Sequence, residues 1–189
     1  MTQPRKQHFV RIIGGTWRSR RLRFPDLADL RPTPDRVRET LFNWLRNDIE
    51  GARCLDLFAG SGALGFEALS RGAQQVVFVE NERSAADALR LHAVELATND
   101  AAIQATSAEQ FLRGSATPFD IVFLDPPFRL QTWDNIAAQL EQHNWLKPRA
   151  LIYVESPSED ASLHLPATWH LLRDKTAGEV RYGLYERRA

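Results

Sequence analysis

From residue 54 onward, apolar runs of strand length rich in Val, Ile, Leu and Phe alternate with longer segments whose apolar positions recur at helical spacing. CLDLFA (54–59), QVVFVE (75–80), AIQATS (102–107), DIVFLD (120–125) and ALIYVE (150–155) read as strands. Between them ALGFEALSR, closed by Gly72, then RSAADALRLHAVELAT, then TWDNIAAQLEQHNWL, ending before Lys147-Pro148, read as helices. Strands of this composition alternating with helices predict a parallel sheet covered on both faces. The rhythm breaks at the end: WHLLRDK, a Thr-Ala-Gly turn and VRYGLYERR predict two strands with a short, hence antiparallel, connection. Ahead of the sheet, FVRIIGGTWRSRRLRF predicts a β-hairpin turning at Gly14-Gly15, which sets Arg11, Arg18 and Arg20 beside Phe9 on one face and Ile12 and Trp17 on the other. RPTPDRVRETLFNWL follows as a helix with Thr33 as N-cap, Pro34 in its first turn and Val37, Leu41, Trp44 and Leu45 on one face, expected to cover an edge or end of the sheet.

At 189 residues the chain is short for a two-domain oxidoreductase. No apolar run approaches the roughly 18 residues of a membrane helix, and MTQPRKQHFV holds no signal-length segment, so the expectation is a soluble cytoplasmic protein with no membrane partner. The single cysteine, Cys54, is expected as a buried structural thiol, and the five histidines have no metal-ligand spacing, so no metal is expected. The net charge of zero hides an asymmetry: residues 1–53 carry 12 Lys or Arg against 6 Asp or Glu, and the remainder 12 against 18. Seven basic groups and no acidic one within the first 25 residues predict a basic arm for a polyanionic partner.

The stretch LDLFAGSGALG (55–65) sets glycines at a strand-to-helix turn, which lets a ligand approach the backbone. The letters also fit a dinucleotide loop, but Asp56 beside it would repel a pyrophosphate and suits a ligand with an ammonium group or a hydroxyl donor. Glu80, 20 residues beyond Gly60, suits the two hydroxyls of a ribose. Two carboxylates without a phosphate cradle point to S-adenosylmethionine. At the end of the fourth strand, LDPPF (124–128) fits a planar base with an exocyclic amine: Phe128 stacks, while Asp125 and the Pro126 carbonyl accept from the NH2 and Pro127 stiffens the turn. Such a site works by positioning and electrostatics, without a nucleophile.

DLFAGSGALGFEALSRGA, VEN, LDPPF, RPTPDRVRETLFNWL and EVRYGLYERR together resemble the bacterial 16S ribosomal RNA guanine-N2 methyltransferases of the RsmD type, over nearly the whole chain. The resemblance implies an α/β, Rossmann-like class I methyltransferase: a seven-stranded, mostly parallel sheet with a C-terminal antiparallel hairpin, plus the N-terminal hairpin and helix. Residues 1–48 are then the RNA-docking segment packed on the body and 49–189 the methyltransferase domain. It implies S-adenosylmethionine as donor and a guanine amine of 16S ribosomal RNA as acceptor, free or in a partly assembled small subunit, acted on by a monomer. Asp56, Phe58, Gly60 and Gly62 would line the methionine end, Glu80 and Asn81 the ribose, Ser107-Ala108 the adenine, and Asp125, Pro126, Pro127 and Phe128 the target base; Arg11, Arg18, Arg20 and Arg21 would meet RNA. Of Arg31, Thr33, Arg36 and Arg38 in the N-terminal block, Arg38 either pairs with the methionine carboxylate or lies on a solvated helix face. An adenine-N6 or DNA amino-methyltransferase, an NAD-dependent enzyme and a pure RNA-binding module are the alternatives.

Overall fold

The computed structural model describes residues 8–26, 32–159 and 163–188. Arg31 lies outside them. A short hairpin, β1 (His8–Arg11) and β2 (Arg21–Phe24), and helix α1 (Asp35–Trp44) precede the sheet. Then follow β3 (Arg53–Asp56), α2 (Ala63–Ser70), β4 (Gln75–Val79), α3 (Arg83–Glu95), β5 (Ala101–Gln104), α4 (Ala108–Leu112), β6 (Phe119–Leu124), α5 (Trp133–Gln142), β7 (Leu146–Pro157), β8 (Trp169–Ala177) and β9 (Val180–Arg187). The seven strands lie in the order β5-β4-β3-β6-β7-β9-β8; β3 to β7 are parallel, and the closing β8-β9 hairpin is antiparallel. This is the Rossmann-like class I sheet that the resemblance implied. Strand order reverses between β3 and β6, where an open α/β sheet leaves a crevice at its carboxyl edge.

The period of two along each strand sorts the core. Cys54, Phe78, Ile121, Phe123 and Tyr153 pack on one face, under α1, α2 and α3. Leu55, Val79, Val122, Leu124 and Ile152 pack on the other, under α4 and α5. Burial pushes the Cys54 thiol pKa up, as suits the inert thiol expected from its apolar setting. Among the described residues no helix is long and apolar enough to cross a membrane.

Several local expectations are corrected. Helix α1 lies across a face of the sheet rather than on an edge: Phe42 meets Phe123 at 6.0 Å between ring centroids and Trp44 stacks on Tyr182 at 5.6 Å. Pro34 takes the N-cap position with no side-chain cap, and the Thr33 hydroxyl turns to Asp125 instead. Helix α5 stops at Gln142, because Trp145 is drawn under the sheet, where its indole N–H donates to the Leu112 carbonyl and its ring stacks on Phe119. Ser107, read as a strand end, is the N-cap of α4, a helix too short for a period to show.

The largest correction is the N-terminal hairpin. Gly14-Gly15 is not its turn. Strand β1 pairs with β2 in the register Phe9↔Arg23, Val10↔Leu22 and Arg11↔Arg21, so residues 12–20 form the connecting loop. The loop is held by the last turns of α2: Glu67 accepts from the Ile13 and Gly14 amides at 2.7 and 2.8 Å, Ser70 Oγ accepts from Trp17 N and donates to the Gly14 carbonyl, and Thr16 N donates to the Ser70 carbonyl. The glycines serve close approach. A Cβ on Gly15, whose φ is +75°, would run into the Ser70 carbonyl. Val10, Ile12 and Leu22 thereby join the same core as α1 and α2.

Candidate active site

One carboxylate stands at the carboxyl end of each of four adjacent strands, all on the face that carries α1 and α2. Asp56 ends β3 in register with Phe78 and Phe123, and Phe123 pairs with Tyr153. Glu80, Asp125 and Glu155 each follow one of these aromatic residues by two positions, so the pleat turns all of them to the same side. The turn after β3 then runs through Gly60 and Gly62, at φ 51° and 77°, into α2. Gly62 is the N-cap of that helix, and a Cβ on it would meet Phe66 and Leu89 side-chain carbons at 2.6 Å. The glycine therefore permits both the left-handed turn and the tight seat of α2 on the sheet.

Asp56 is buried and accepts from Gly65 N in the first turn of α2 at 3.0 Å, one of the helix-start donors that lack an internal partner. Burial, with the Glu80 charge adding to it and the Gly65 bond opposing, pushes its pKa up to about 7. A buried carboxylate whose charge is disfavoured in this way gains from a cationic neighbour. Glu80 pins the loop: Oε2 accepts from Gly60 N and Oε1 from Glu82 N, both at 2.7 Å. Each carboxylate oxygen retains acceptor capacity for a hydroxyl. Asn81 is exposed beside it, and Phe58 is partly buried against the second face of the core. The Ser107 hydroxyl is taken up in capping α4 through Gln110 N, at 3.2 Å, and Ala108 is buried behind it.

Across the crevice, Asp125 continues β6 into Pro126-Pro127 and a single 3-10 turn, Phe128–Leu130. Phe128 is partly buried, its ring 5.8 Å from that of Trp133. Asp125 accepts from the Thr33 hydroxyl at 3.4 Å; burial first, then Glu155 and Asp56, raises its pKa well above the usual carboxylate range. Glu155 is buried as well and accepts from the Tyr153 hydroxyl at 2.7 Å. Its pKa is also raised, chiefly by burial, against hydrogen bonds from Tyr153 and Thr33 that lower it.

A family profile described as conserved hypothetical protein 95 matches residues 10–186. The chain is 49% identical over 180 residues to an Escherichia coli (strain K12) protein named ribosomal RNA small subunit methyltransferase D, covering 95% of this chain and 91% of that one. It is 46% identical over 187 residues to the Haemophilus influenzae protein of the same name, covering 97% and 96%. Among solved structures it superposes on an Escherichia coli methyltransferase with a TM-score of 0.90 at 49% identity, covering 96% of this chain and 99% of that one. The Haemophilus influenzae methylase HI0767 superposes with 0.83 at 45%, covering 96% and 100%. The chain belongs to the RsmD family of methyltransferases.

The structure of this RsmD-family chain brings Asp56, Glu80 and Asp125 together at one crevice, and separates two other expectations from it. Arg38 is neither on a solvated face nor free for a ligand carboxylate. It is fully buried, and its Nε donates to the Thr33 carbonyl, Nη2 to the Arg11 carbonyl and to Asp35, and Nη1 to Glu67 at 3.5 Å. It ties hairpin, α1 and α2 together. The basic face is also redistributed. With the observed register Phe9, Arg11, Arg21 and Arg23 share the outward side, Arg21 and Arg23 lying over the Phe9 ring at 4.3 and 5.5 Å. Arg18 is exposed in the loop, and Arg20 reaches the Glu95 carbonyl at 3.1 Å. A groove of about 540 Å³ runs from His8, Phe9 and Arg21 to Pro32 and Thr33, and so leads from the basic face to the residue that bonds Asp125.

Sequence reasoning missed Glu155, Tyr153, Arg23 and Glu67. Glu155 had a signal: ALIYVE ends on an acid just as VVFVE and IVFLD do. Glu67 has a local partner in Arg71, four residues on, but nothing in the sequence pointed to the backbone amides of Gly14 and Ile13, 53 and 54 residues away, that it also holds.

Proposed function

We propose that this protein transfers a methyl group from S-adenosylmethionine to the N2 amine of a guanine in small-subunit ribosomal RNA. The observation that carries the reading is the row of carboxylates at the switch point with the rigid Asp125-Pro126-Pro127-Phe128 turn across from the glycine loop. Kinship with proteins named ribosomal RNA small subunit methyltransferase D supports the polynucleotide class. The donor side fits on its own terms. A buried acid of pKa about 7 suits a cationic group, and an acid that already orders the Gly60 amide suits ribose hydroxyls. When bound, S-adenosylmethionine supplies an electrophilic methyl on sulfonium. Asp56, Phe58, Gly60 and Gly62 would hold its methionine end, Glu80 and Asn81 its ribose, and Ala108, behind the capping Ser107, one side of its adenine.

On the acceptor side Phe128 gives the base a flat apolar face, and Asp125 with the Pro126 carbonyl accepts from its N–H groups. An ionised carboxylate offers two acceptors to the two neighbouring donors of a guanine edge, N1–H and N2–H, whereas adenine presents a donor beside an acceptor. That favours guanine over adenine-N6. These acceptors orient the amine lone pair toward the methyl and oppose the positive charge that grows on nitrogen, which is catalysis by position and field. The segment 1–48 serves as the RNA-docking part: Phe9, Arg11, Arg21 and Arg23 face outward for phosphates and an exposed base or sugar, and the groove toward Thr33 is the approach to Asp125. The test is incubation with labelled donor and either protein-free 16S ribosomal RNA or partly assembled small subunits, followed by mapping of the modified nucleotide. Label on a guanine N2 is expected. Label on adenine, or on DNA in preference to RNA, would replace the guanine reading.

A further inference from the structure

Asp125 and Glu155 face each other across the end of β6 and β7, one residue beyond the register pair Leu124↔Val154. The proposed chemistry employs only Asp125. Glu155 is nonetheless buried to 5% exposure and has its own set of partners: the Tyr153 hydroxyl at 2.7 Å and the Thr33 hydroxyl, the same hydroxyl that lies 3.4 Å from Asp125 Oδ2. Thr33 has one hydrogen to give and two carboxyls to satisfy. If both were ionised, one would face the threonine lone pairs across a like charge. With one proton on the pair, the protonated carboxyl donates to Thr33 Oγ1 while Thr33 donates to the other, and every member is satisfied.

Among the described residues, no cation bears on the ionisation of either carboxyl. The groups facing the pair are Asp56 from β3, Tyr153 on β7 and Tyr182 on β9, in register with Glu155. Arg38 of α1 reaches the Thr33 carbonyl, not the carboxyls.

We propose that Asp125 and Glu155 share one proton across the Thr33 hydroxyl, and that Glu155 takes this proton when the target base docks, leaving Asp125 ionised to receive the amine's proton. The inference rests on the methyltransferase reading above and deepens it. Balance is simple. The amine nitrogen's pair forms the N–C bond, the C–S bond of the sulfonium donor breaks with its pair going to sulfur, and one N–H proton of the resulting ammonium passes to Asp125. The pair then holds two protons and returns one to solvent as the product leaves. Glu155 and Thr33 are positioning residues, since they act through Asp125.

The test has two arms. In the free protein, labelled at carboxyl carbons, Asp125 and Glu155 are expected to titrate in two coupled steps by NMR; Glu155→Gln should collapse Asp125 to a single step about one pH unit or more lower. Thr33→Val should move the Glu155 step, and Thr33→Ser should restore it. In single turnover with ribosomal RNA, Glu155→Gln, a neutral mimic of protonated Glu155, should carry the pH profile about one unit or more to lower pH, and Thr33→Val should shift it and slow transfer about tenfold near pH 7, with S-adenosylhomocysteine binding unchanged and Thr33→Ser close to wild type. An Asp125 titration identical in wild type and Glu155→Gln overturns the shared proton. A uniform loss of rate at every pH, with no shift of the profile in either variant, overturns its use in the reaction. Should wild type methylate no RNA, the function fails, and the titration arm still decides the pair.

Discussion

Glu80 has two tasks that a single substitution separates. Its two oxygens each accept a backbone amide, Gly60 N and Glu82 N, at 2.7 Å. Glu80→Ala removes both charge-assisted bonds. Each is worth about 1.5 to 3 kcal/mol where the group is buried, but Glu80 is partly exposed and water recovers part of the loss, so the expected stability cost is about 1 to 2 kcal/mol. For a chain of this length that lowers the melting temperature by roughly 2 to 8 °C. The same carboxylate is expected to accept ribose hydroxyls, and its loss should add about 1.5 to 3 kcal/mol to the donor's binding free energy, roughly ten- to a hundredfold in affinity. Glu80→Gln is not a mild version. Its amide oxygen can serve one N–H, but its NH2 then points a donor at the other. The glutamine should therefore stay within about threefold of alanine in affinity for S-adenosylhomocysteine, measured by calorimetry, with melting curves recorded with and without ligand. Wild-type affinity in Glu80→Gln, with an unchanged melt, would show that neither the loop-pinning bonds nor the ribose role carries weight.

Asp125→Ala should keep donor binding, cut single-turnover transfer by roughly a hundredfold or more, and leave stability at neutral pH equal or higher, because it removes a carboxyl whose charge burial, and then Glu155, disfavour; rates within a few-fold of wild type would reduce Asp125 to a strand end. Arg11, Arg21 and Arg23 changed together to Ala should spare S-adenosylhomocysteine binding and lower the salt dependence of RNA binding by about 0.7 to 0.9 log unit per lost phosphate contact; an unchanged slope would leave the arm without a docking role. Gly15→Ala should destabilise by more than the roughly 1 to 2 kcal/mol of a left-handed alanine, and should speed amide exchange at Thr16 and Trp17. Gly178→Ala, at φ 61° with nothing within 4 Å of the added carbon, should show that backbone cost alone; equal effects at both sites would mean that the loop does not grip α2. Asp56 holds a proton up to about pH 7 that the unfolded chain releases near its ordinary 3.8, so stability should decline as pH rises from about 4 through 7 and then level off. Denaturant titrations at pH 5 and 8 should show a smaller difference in Asp56→Asn; an identical difference would place the raised pKa elsewhere.

The alternation of strands and helices was legible because period two and period 3.6 are local, and the antiparallel ending because only a short loop fits between its strands. Asp56, Glu80 and Asp125 were legible for a related reason: each ends or nearly ends an apolar run, and the carboxyl edge of a parallel sheet is where such ends meet. What failed was everything set by partners far along the chain. Gly14-Gly15 carries the letters of a hairpin turn, and only Glu67 and Ser70 show that it is a surface without side chains pressed against a helix. Arg38 sits at a position that a helical wheel gives equally to solvent or ligand; the carbonyls of Thr33 and Arg11 and the buried Glu67 decide otherwise. Thr33 had the letters of an N-cap, and its hydroxyl went to a carboxylate 92 residues away.

Helix α2, eight residues or about 12 Å long, receives Asp56 at its first turn and holds the hairpin loop at its last. An arm held in this way cannot be exchanged as an appendage. Trimming the residues ahead of Asp26 would strip Glu67 of two amide donors and empty the places of Val10, Ile12 and Leu22 in the core, so folded protein would be lost before RNA affinity could be measured. A hairpin transplanted from a distant relative would need amides spaced for Glu67 and a residue without a side chain over Ser70. Recombination that respects this fold would move residues 8–24 and 63–71 together, as one heritable unit spanning two distant stretches of the chain.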